Sequence, residues 1–215
     1  MAAHCLLHHG GDVDVSMTIE IDTYSKPRRS HIFKREKNDH YVEEPWCSSR
    51  LFDVESFDGH IMDPACGWGT IVTNALKHGY CAAGSDIINR GWDSSLTPSN
   101  FLLSDHTYDN IVTNPPFDKI QRFTVHAVAH SRHKTAILFP LARLPAARYI
   151  ERLPLVRIWL LAPRPSMPPG SYIKAGGKVG GGRVDFCWLV FQRGYQGQPT
   201  MNWLHRKGIP LFNPQ

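Results

Sequence analysis

The chain is expected to fold as an α/β domain, a doubly wound, mostly parallel sheet with helices on both faces. From Gly59 onward, short apolar runs alternate with segments of helical period, the rhythm of strand, helix and parallel strand. Apolar runs also end abruptly in turn-formers, at Gly67-Trp68-Gly69 and again at Pro115-Pro116. Tight turns of this kind belong at the edge of an open sheet where strands pass into helices. At 215 residues the chain can bury one substantial core without metals or disulfides.

Residues 60–62 read as the first strand. Residues 70–78 then carry Ile71, Val72, Ala75 and Leu76 on one helical face and stop before Gly79. A second strand is expected at 80–84 and a short third at 101–103. A fourth at 109–113 runs straight into the proline pair, which cannot continue it. Residues 120–130 keep Ile120, Phe123, Ala127 and Val128 on one side of a helix, and a strand at 135–139 ends at Pro140. A short helix at 146–153 precedes strands at 156–161 and 184–191, where Phe186, Trp188, Val190 and Phe191 read as core. Between those strands lies a loop rich in Pro and Gly, and no internal repeat is visible.

Residues 1–38 show no sustained period and are expected to form a partly disordered basic arm ahead of a single domain at 39–215. Six cations gather there (Lys26, Arg28, Arg29, Lys34, Arg35, Lys37), and Met17 offers an alternative start. The formal charge of +5 and pI near 9.0 suit a polyanionic partner. Five cysteines without a C-x-x-C pair argue against a disulfide framework or zinc cluster and fit a reducing, cytoplasmic setting. His4, His8 and His9, and likewise His126, His130 and His133, lack acidic or thiol partners at fixed spacing, so no metal is expected. No apolar run approaches the length of a membrane span, and no signal peptide is read.

Two constellations carry chemistry. Asp63-Pro64-Ala65-Cys66-Gly67-Trp68-Gly69 ends a strand and opens a helix, a turn whose glycines let a ligand approach the backbone. Asp86, at the end of the second strand, is placed to accept hydrogen bonds from ribose hydroxyls. Val72 stands where a dinucleotide fingerprint would have its third glycine, which disfavours an NAD-dependent oxidoreductase. The second constellation is Asn114-Pro115-Pro116-Phe117. An exocyclic amine on a base is a poor nucleophile because its lone pair is conjugated into the ring. The Asn114 side-chain oxygen and the Pro115 carbonyl can each accept one N–H and favour a tetrahedral nitrogen. The prolines hold these acceptors in place, and Phe117 can stack on a base flipped out of a duplex.

Together the two loops resemble those of amino-methyltransferases with a class I Rossmann-like fold, above all DNA adenine-N6 methyltransferases, the small phage-type enzymes included. The likeness covers residues 40–191. It implies a seven-stranded sheet with an antiparallel last strand and S-adenosylmethionine as cofactor. The reaction it implies is methyl transfer to an exocyclic amino group, adenine N6 in DNA foremost, with DNA favoured over RNA as partner. Asp63, Ala65, Gly67 and Gly69 match the family's cofactor motif, Asp86 its ribose-holding acid, and Asn114 to Phe117 its catalytic motif. Tyr41 and Pro45, within Tyr41-Val42-Glu43-Glu44-Pro45-Trp46, match the N-terminal motif that packs over the methionine part of the cofactor. Asn100-Phe101-Leu102 stands where the family often has Asp-Phe-Leu near the adenine, keeping an acceptor and losing a charge.

The chain departs from the large family members in having no room for a separate recognition domain. Its candidate substitute is the flexible loop at 163–183, whose Arg164, Lys174, Lys178 and Arg183 could contact phosphates. Three other acceptors use the same loop chemistry: guanine N2 in RNA, cytosine N4 in DNA and a protein glutamine. A degenerate fold that binds nucleic acid or cofactor without turnover is the non-enzymatic alternative. Neither target sequence nor oligomeric state follows from these residues.

Overall fold

The computed structural model describes residues 40–92 and 98–208. The expected arm at 1–38, with its basic stretch and its histidines, lies outside the described residues. In chain order the elements are α1 (Pro45–Val54), β1 (Ile61–Asp63), α2 (Thr70–Lys77), β2 (Ala82–Gly84), β3 (Tyr108–Thr113), α3 (Ile120–Ala129), β4 (Ser131–Pro140), β5 (Leu155–Ala162), α4 (Gly170–Lys174), β6 (Phe186–Gln192) and β7 (Thr200–His205). The strands form one sheet in the order β2-β1-β3-β4-β6-β5-β7. Every neighbouring pair is parallel except those made by β6, which runs antiparallel to both β4 and β5.

Alternation along the central strands divides the core into two layers. Ala136, Leu138, Trp188 and Val190 join Leu51, Phe52, Ile71 and Ala75 on the face covered by α1 and α2. Ile137, Phe139, Leu189 and Phe191 join Ile120, Phe123 and Ala127 on the face covered by α3. Successive side chains of a strand point to opposite faces, so a sheet covered on both sides needs the continuous apolar runs seen in β4 and β6. Trp188 is fully buried, and its indole N–H donates to the Cys47 carbonyl at 3.0 Å, tying β6 to α1.

Several elements differ from expectation. The antiparallel strand is the sixth, and a further parallel strand, β7, follows it at the sheet edge. Phe101–Leu103 is a 3-10 turn instead of a third strand. Phe101 packs there against Phe123 and His126, and Leu103 stays 77% exposed. The helix expected at 146–153 is replaced by two 3-10 segments, Leu141–Ala146 and Arg148–Arg152. Pro145 lies inside the first of these segments, where it has no N–H to donate. Helix α1 was not anticipated, although Pro45 at its start and buried Cys47, Ser48, Leu51 and Phe52 give it a normal amphipathic pattern.

The order β2-β1-β3 places a switch point beside β1. The chain leaves β1 through α2 for β2 on one side, and β3 pairs on the other. The loops that follow β1 and β3 therefore open together at the C-terminal edge of the sheet, the place where open α/β sheets take their ligands.

Candidate active site

At that edge an open cleft lies between the loop after β1, the end of β2 and the loop after β3. Asp63 ends β1 and is 1% exposed; its Oδ1 accepts the Ala65 N–H at 3.1 Å, which starts the turn. Gly67 and Gly69 follow with φ of +53° and +75°, a region that side chains disfavour. A Cβ on Gly67 would lie 2.8 Å from Nε2 of His40, and one on Gly69 would overlap the Trp92 indole. The two glycines are thus required by conformation and by close approach alike. Gly69 also caps α2, without any side-chain hydrogen bond.

Asp86, 7% exposed, fastens this loop to β2. Its Oδ2 accepts the Gly67 N–H at 3.0 Å and its Oδ1 the Ile88 N–H at 3.0 Å, with Arg90 Nε 3.7 Å from Oδ2. Asn100 and Phe101 close the far side of the cleft. Phe101 is 3% exposed and packs edge-on to the His126 ring at 4.7 Å, so the 3-10 turn seats it as firmly as a strand would.

Asn114 and Pro116 line the same cleft from the β3 side. The Asn114 Nδ2 donates to the Tyr41 carbonyl at 2.9 Å and to Glu43 Oε2 at 2.8 Å. Tyr41 stacks on Phe117 with ring centroids 5.9 Å apart, and Phe117 packs in turn against Phe186 at 5.7 Å. The segment at 40–44 is also stitched to the loop after β5. Val42 N–H donates to the Pro168 carbonyl at 3.0 Å, Gly170 N–H to the His40 carbonyl at 3.1 Å, and Tyr41 bridges Pro169. Ser166 N–H donates to Glu44 Oε2 at 2.9 Å. The first half of the 163–183 loop is therefore built into the wall of the site, and α4 lies within it.

The residues singled out from sequence divide into three groups. Tyr41, Asp63, Ala65, Gly67, Asp86, Asn100, Phe101, Asn114 and Pro116 line one cleft. Pro45, Gly69, Pro115 and Phe117 stand behind it: Pro45 opens α1 and gives its carbonyl to Asn74, while Pro115 is buried. Arg164, Lys174, Lys178 and Arg183 are exposed and outside the lining. Arg164 pairs with Asp185 at 2.6 Å, and Lys174 Nζ lies 5.7 Å from the Trp68 ring centre.

Sequence reasoning did not single out His40, Glu43, Trp68 or Arg90, all of which line the cleft. Glu43 lay inside a quoted motif, between Val42 and Glu44; His40 and Arg90 carried no signal. Burial pushes the carboxyls of Glu43 and Asp63 above the usual carboxylate range, Asp63 well above it. Burial, reinforced by the charge of Arg90, brings His40 down to about 4, so it is neutral near pH 7. Burial also pushes the Cys66 thiol up to about 12, which leaves it a packed residue and not a nucleophile. Among the described residues no group of His, Cys, Asp or Glu is arranged to hold a metal, and no helix is long and apolar enough to cross a membrane.

No family model and no curated protein matches the chain by sequence. Solved structures do. The M protein of the type I restriction enzyme EcoKI shares 15% identity over 82% of this chain and 50% of its own, with a TM-score of 0.52. A candidate type I restriction modification subunit from Vibrio vulnificus shares 15% over 80% and 48%, with a TM-score of 0.53. A candidate RNA methyltransferase from Pyrococcus horikoshii shares 13% over 69% and 81%, with a TM-score of 0.50. The fold is that of the Rossmann-like methyltransferases. The chain spans about half the length of the two restriction-enzyme subunits.

Proposed function

We propose that the protein is an S-adenosylmethionine-dependent N-methyltransferase whose acceptor is an exocyclic amino group, adenine N6 in DNA foremost. The observation that carries this reading is the convergence of two loops. Asn114 and Pro116 line the same cleft as Asp63, Gly67 and Asp86, so an acceptor for amine N–H groups faces a glycine turn suited to a nucleoside. The cleft also suits the charge of the cofactor. Asp63 is buried, and among the described residues no Lys or Arg lies within ion-pair distance of it. A cationic ligand would supply the missing counter-charge.

When bound, S-adenosylmethionine supplies a methyl group activated by its sulfonium. The protein's own residues do the rest. The turn at Gly67 gives close backbone approach, Asp86 holds that turn and borders the ribose position, and Phe101 offers an apolar face to an adenine. Asn114 accepts one N–H of the incoming amine through Oδ1 and the Pro115 carbonyl accepts the other, turning the nitrogen lone pair toward the methyl group. His40, neutral and edge-on to Trp68 at 5.2 Å, adds no positive charge to compete with a cationic cofactor.

Nucleic acid as acceptor is supported by the net charge of +5 and by the kinds of protein that share the fold. RNA is the second reading, favoured by the likeness to the P. horikoshii protein over most of that chain. The test supplies methyl-labelled S-adenosylmethionine with unmethylated DNA, RNA or protein and identifies the modified product after digestion. N6-methyladenine from DNA is expected, and Asn114→Ala should abolish it. Label confined to RNA or protein moves the acceptor, and label in no pool overturns the enzymatic reading.

A further inference from the structure

Glu43 makes an uncommon use of a buried carboxylate. It is 7% exposed, and its Oε2 lies 2.8 Å from Asn114 Nδ2. Among the described residues no Lys or Arg lies within ion-pair distance of it, and the buried acid Asp63 is close enough to add like charge. Burying a carboxyl group in such surroundings is costly, and an apolar residue of similar size would pack there at lower cost. What the carboxylate gains among the described residues is one side-chain partner, the residue at the head of the Asn-Pro-Pro-Phe loop.

An Asn side chain has nearly the same shape in either of its two flipped orientations, so only its hydrogen-bond partners decide which atom faces the ligand. The two partners here are the Tyr41 carbonyl and the Glu43 carboxylate, at 2.9 and 2.8 Å. Both are acceptors. A flipped amide would set Oδ1 against two oxygens and turn its N–H groups toward the amine it must receive, so each N–H would face another.

We propose that Glu43 is the positioning residue of the site, acting with the Tyr41 carbonyl to hold the Asn114 amide so that Oδ1 faces the acceptor amine. This rests on the methyl-transfer reading of the cleft and deepens it. The effect of Glu43 on the acceptor amine passes through Asn114, its side-chain partner among the described residues. The pairing also explains why position 114 carries Asn beside Glu43: an Asp there would bring two carboxylates together, whereas Asp opposite Gln restores one donor and one acceptor.

The test compares E43A, E43Q, N114D and E43Q/N114D in the full chain. E43A should lower kcat at least about tenfold while KM for S-adenosylmethionine stays within about threefold, since the amide loses one of two anchors and the cofactor loses none. E43Q, whose side-chain oxygen still accepts from Asn114, should stay within about fivefold of wild type. N114D alone should lose at least about 100-fold, and adding E43Q should recover at least about tenfold of that loss, a coupling that a merely structural residue would not give.

A second readout does not need turnover. Hydrogen exchange of the Asn114 side-chain amide, assigned by the loss of its signal in N114D, should be at least about tenfold faster in E43A than in wild type. Wild-type kcat in E43A, no recovery in the double variant, or unchanged amide exchange each overturns the proposal. If wild type methylates nothing, the methyl-transfer reading fails, and the exchange measurement still decides whether Glu43 holds Asn114.

Discussion

Asn114 and Tyr41, 73 positions apart in the chain, are joined by a hydrogen bond of 2.9 Å from side-chain amide to backbone carbonyl. Tyr41 is also bridged to Pro169, so the segment at 40–42 lies between the loop after β3 and the loop after β5. Three stretches distant in sequence thus close into one wall of the cleft, and the orientation of Asn114 depends on all three.

Breaking that strap should harm activity more than stability. Val42→Pro removes the N–H that donates to the Pro168 carbonyl at 3.0 Å while keeping extended backbone. The expected loss is about 1–2 kcal/mol of stability for one backbone hydrogen bond, with kcat falling at least about tenfold. Thermal unfolding and steady-state kinetics on the same preparation measure both, and full activity in the variant would remove the strap from the catalytic account.

The strap shows what sequence could and could not reveal. Asp63, Gly67, Gly69 and Asn114 were legible because glycines at a strand end and an Asn-Pro-Pro string carry their purpose in local chemistry. Strands β4 and β6 were legible from continuous apolar runs. The contacts of 40–44 with Asn114 and with 166–170 were not, because each is a backbone or polar contact between segments far apart, without a periodic signal. Strand β7 escaped for a related reason: only Leu204 of its six residues is buried, so an edge strand with exposed Met201 and Trp203 shows little apolar patterning. Local propensity also misjudged 101–103, where packing against His126 and Phe123 selects a turn.

The buried acids set a pH dependence of definite sign. Asp63 holds its proton in the folded state well above the usual range because of burial, and releases it near 3.8 when unfolded. Its contribution is therefore fully present below about pH 3.8 and is lost as pH rises through the raised folded value. His40 works in the opposite direction: lowered from 6.5 to about 4, its contribution is present above 6.5 and is lost as pH falls toward 4. Chemical denaturation across about pH 4–8 should show Asp63→Asn gaining on wild type as pH rises. Saturating S-adenosylmethionine should narrow the gap, because a cation stabilises the ionised form. A pH-independent difference between the two proteins would contradict the assignment.

A second buried acid separates stability from function. Glu55, 3% exposed, follows α1 and accepts from Lys134 Nζ at 2.9 Å and Trp159 Nε1 at 3.0 Å, with Arg157 at 3.2 Å. Lys134 lies near the start of β4, away from the C-terminal edge that forms the cleft. Glu55→Ala leaves two cations facing each other without their counter-charge. The loss should be about 3 kcal/mol, the low end for a broken buried pair because Lys134 and Arg157 keep some contact with water. Cofactor affinity should stay within about threefold at temperatures where the variant is folded. A large loss of affinity in the folded variant would mean that this network reaches the cleft.

The loop after β5 makes the last prediction. Arg164 and Asp185 face each other at 2.6 Å across the base of the loop, both about half exposed, so the guanidinium is shared between a structural partner and any phosphate. Lys174, Lys178 and Arg183 are exposed on the same segment. If nucleic acid lies along this surface, neutralising a phosphate releases counterions. Replacing all four cations should then reduce the slope of log affinity against log salt by up to about 0.9 per lost contact on duplex DNA and 0.7 on single strands. Asp185→Asn should act in the opposite sense, releasing Arg164 and steepening the slope by up to one such increment. Because the stitched residues 166–170 stay untouched in both variants, cofactor affinity serves as the control. A slope that neither variant changes would place the nucleic acid elsewhere and leave this loop as a wall of the cofactor cleft alone.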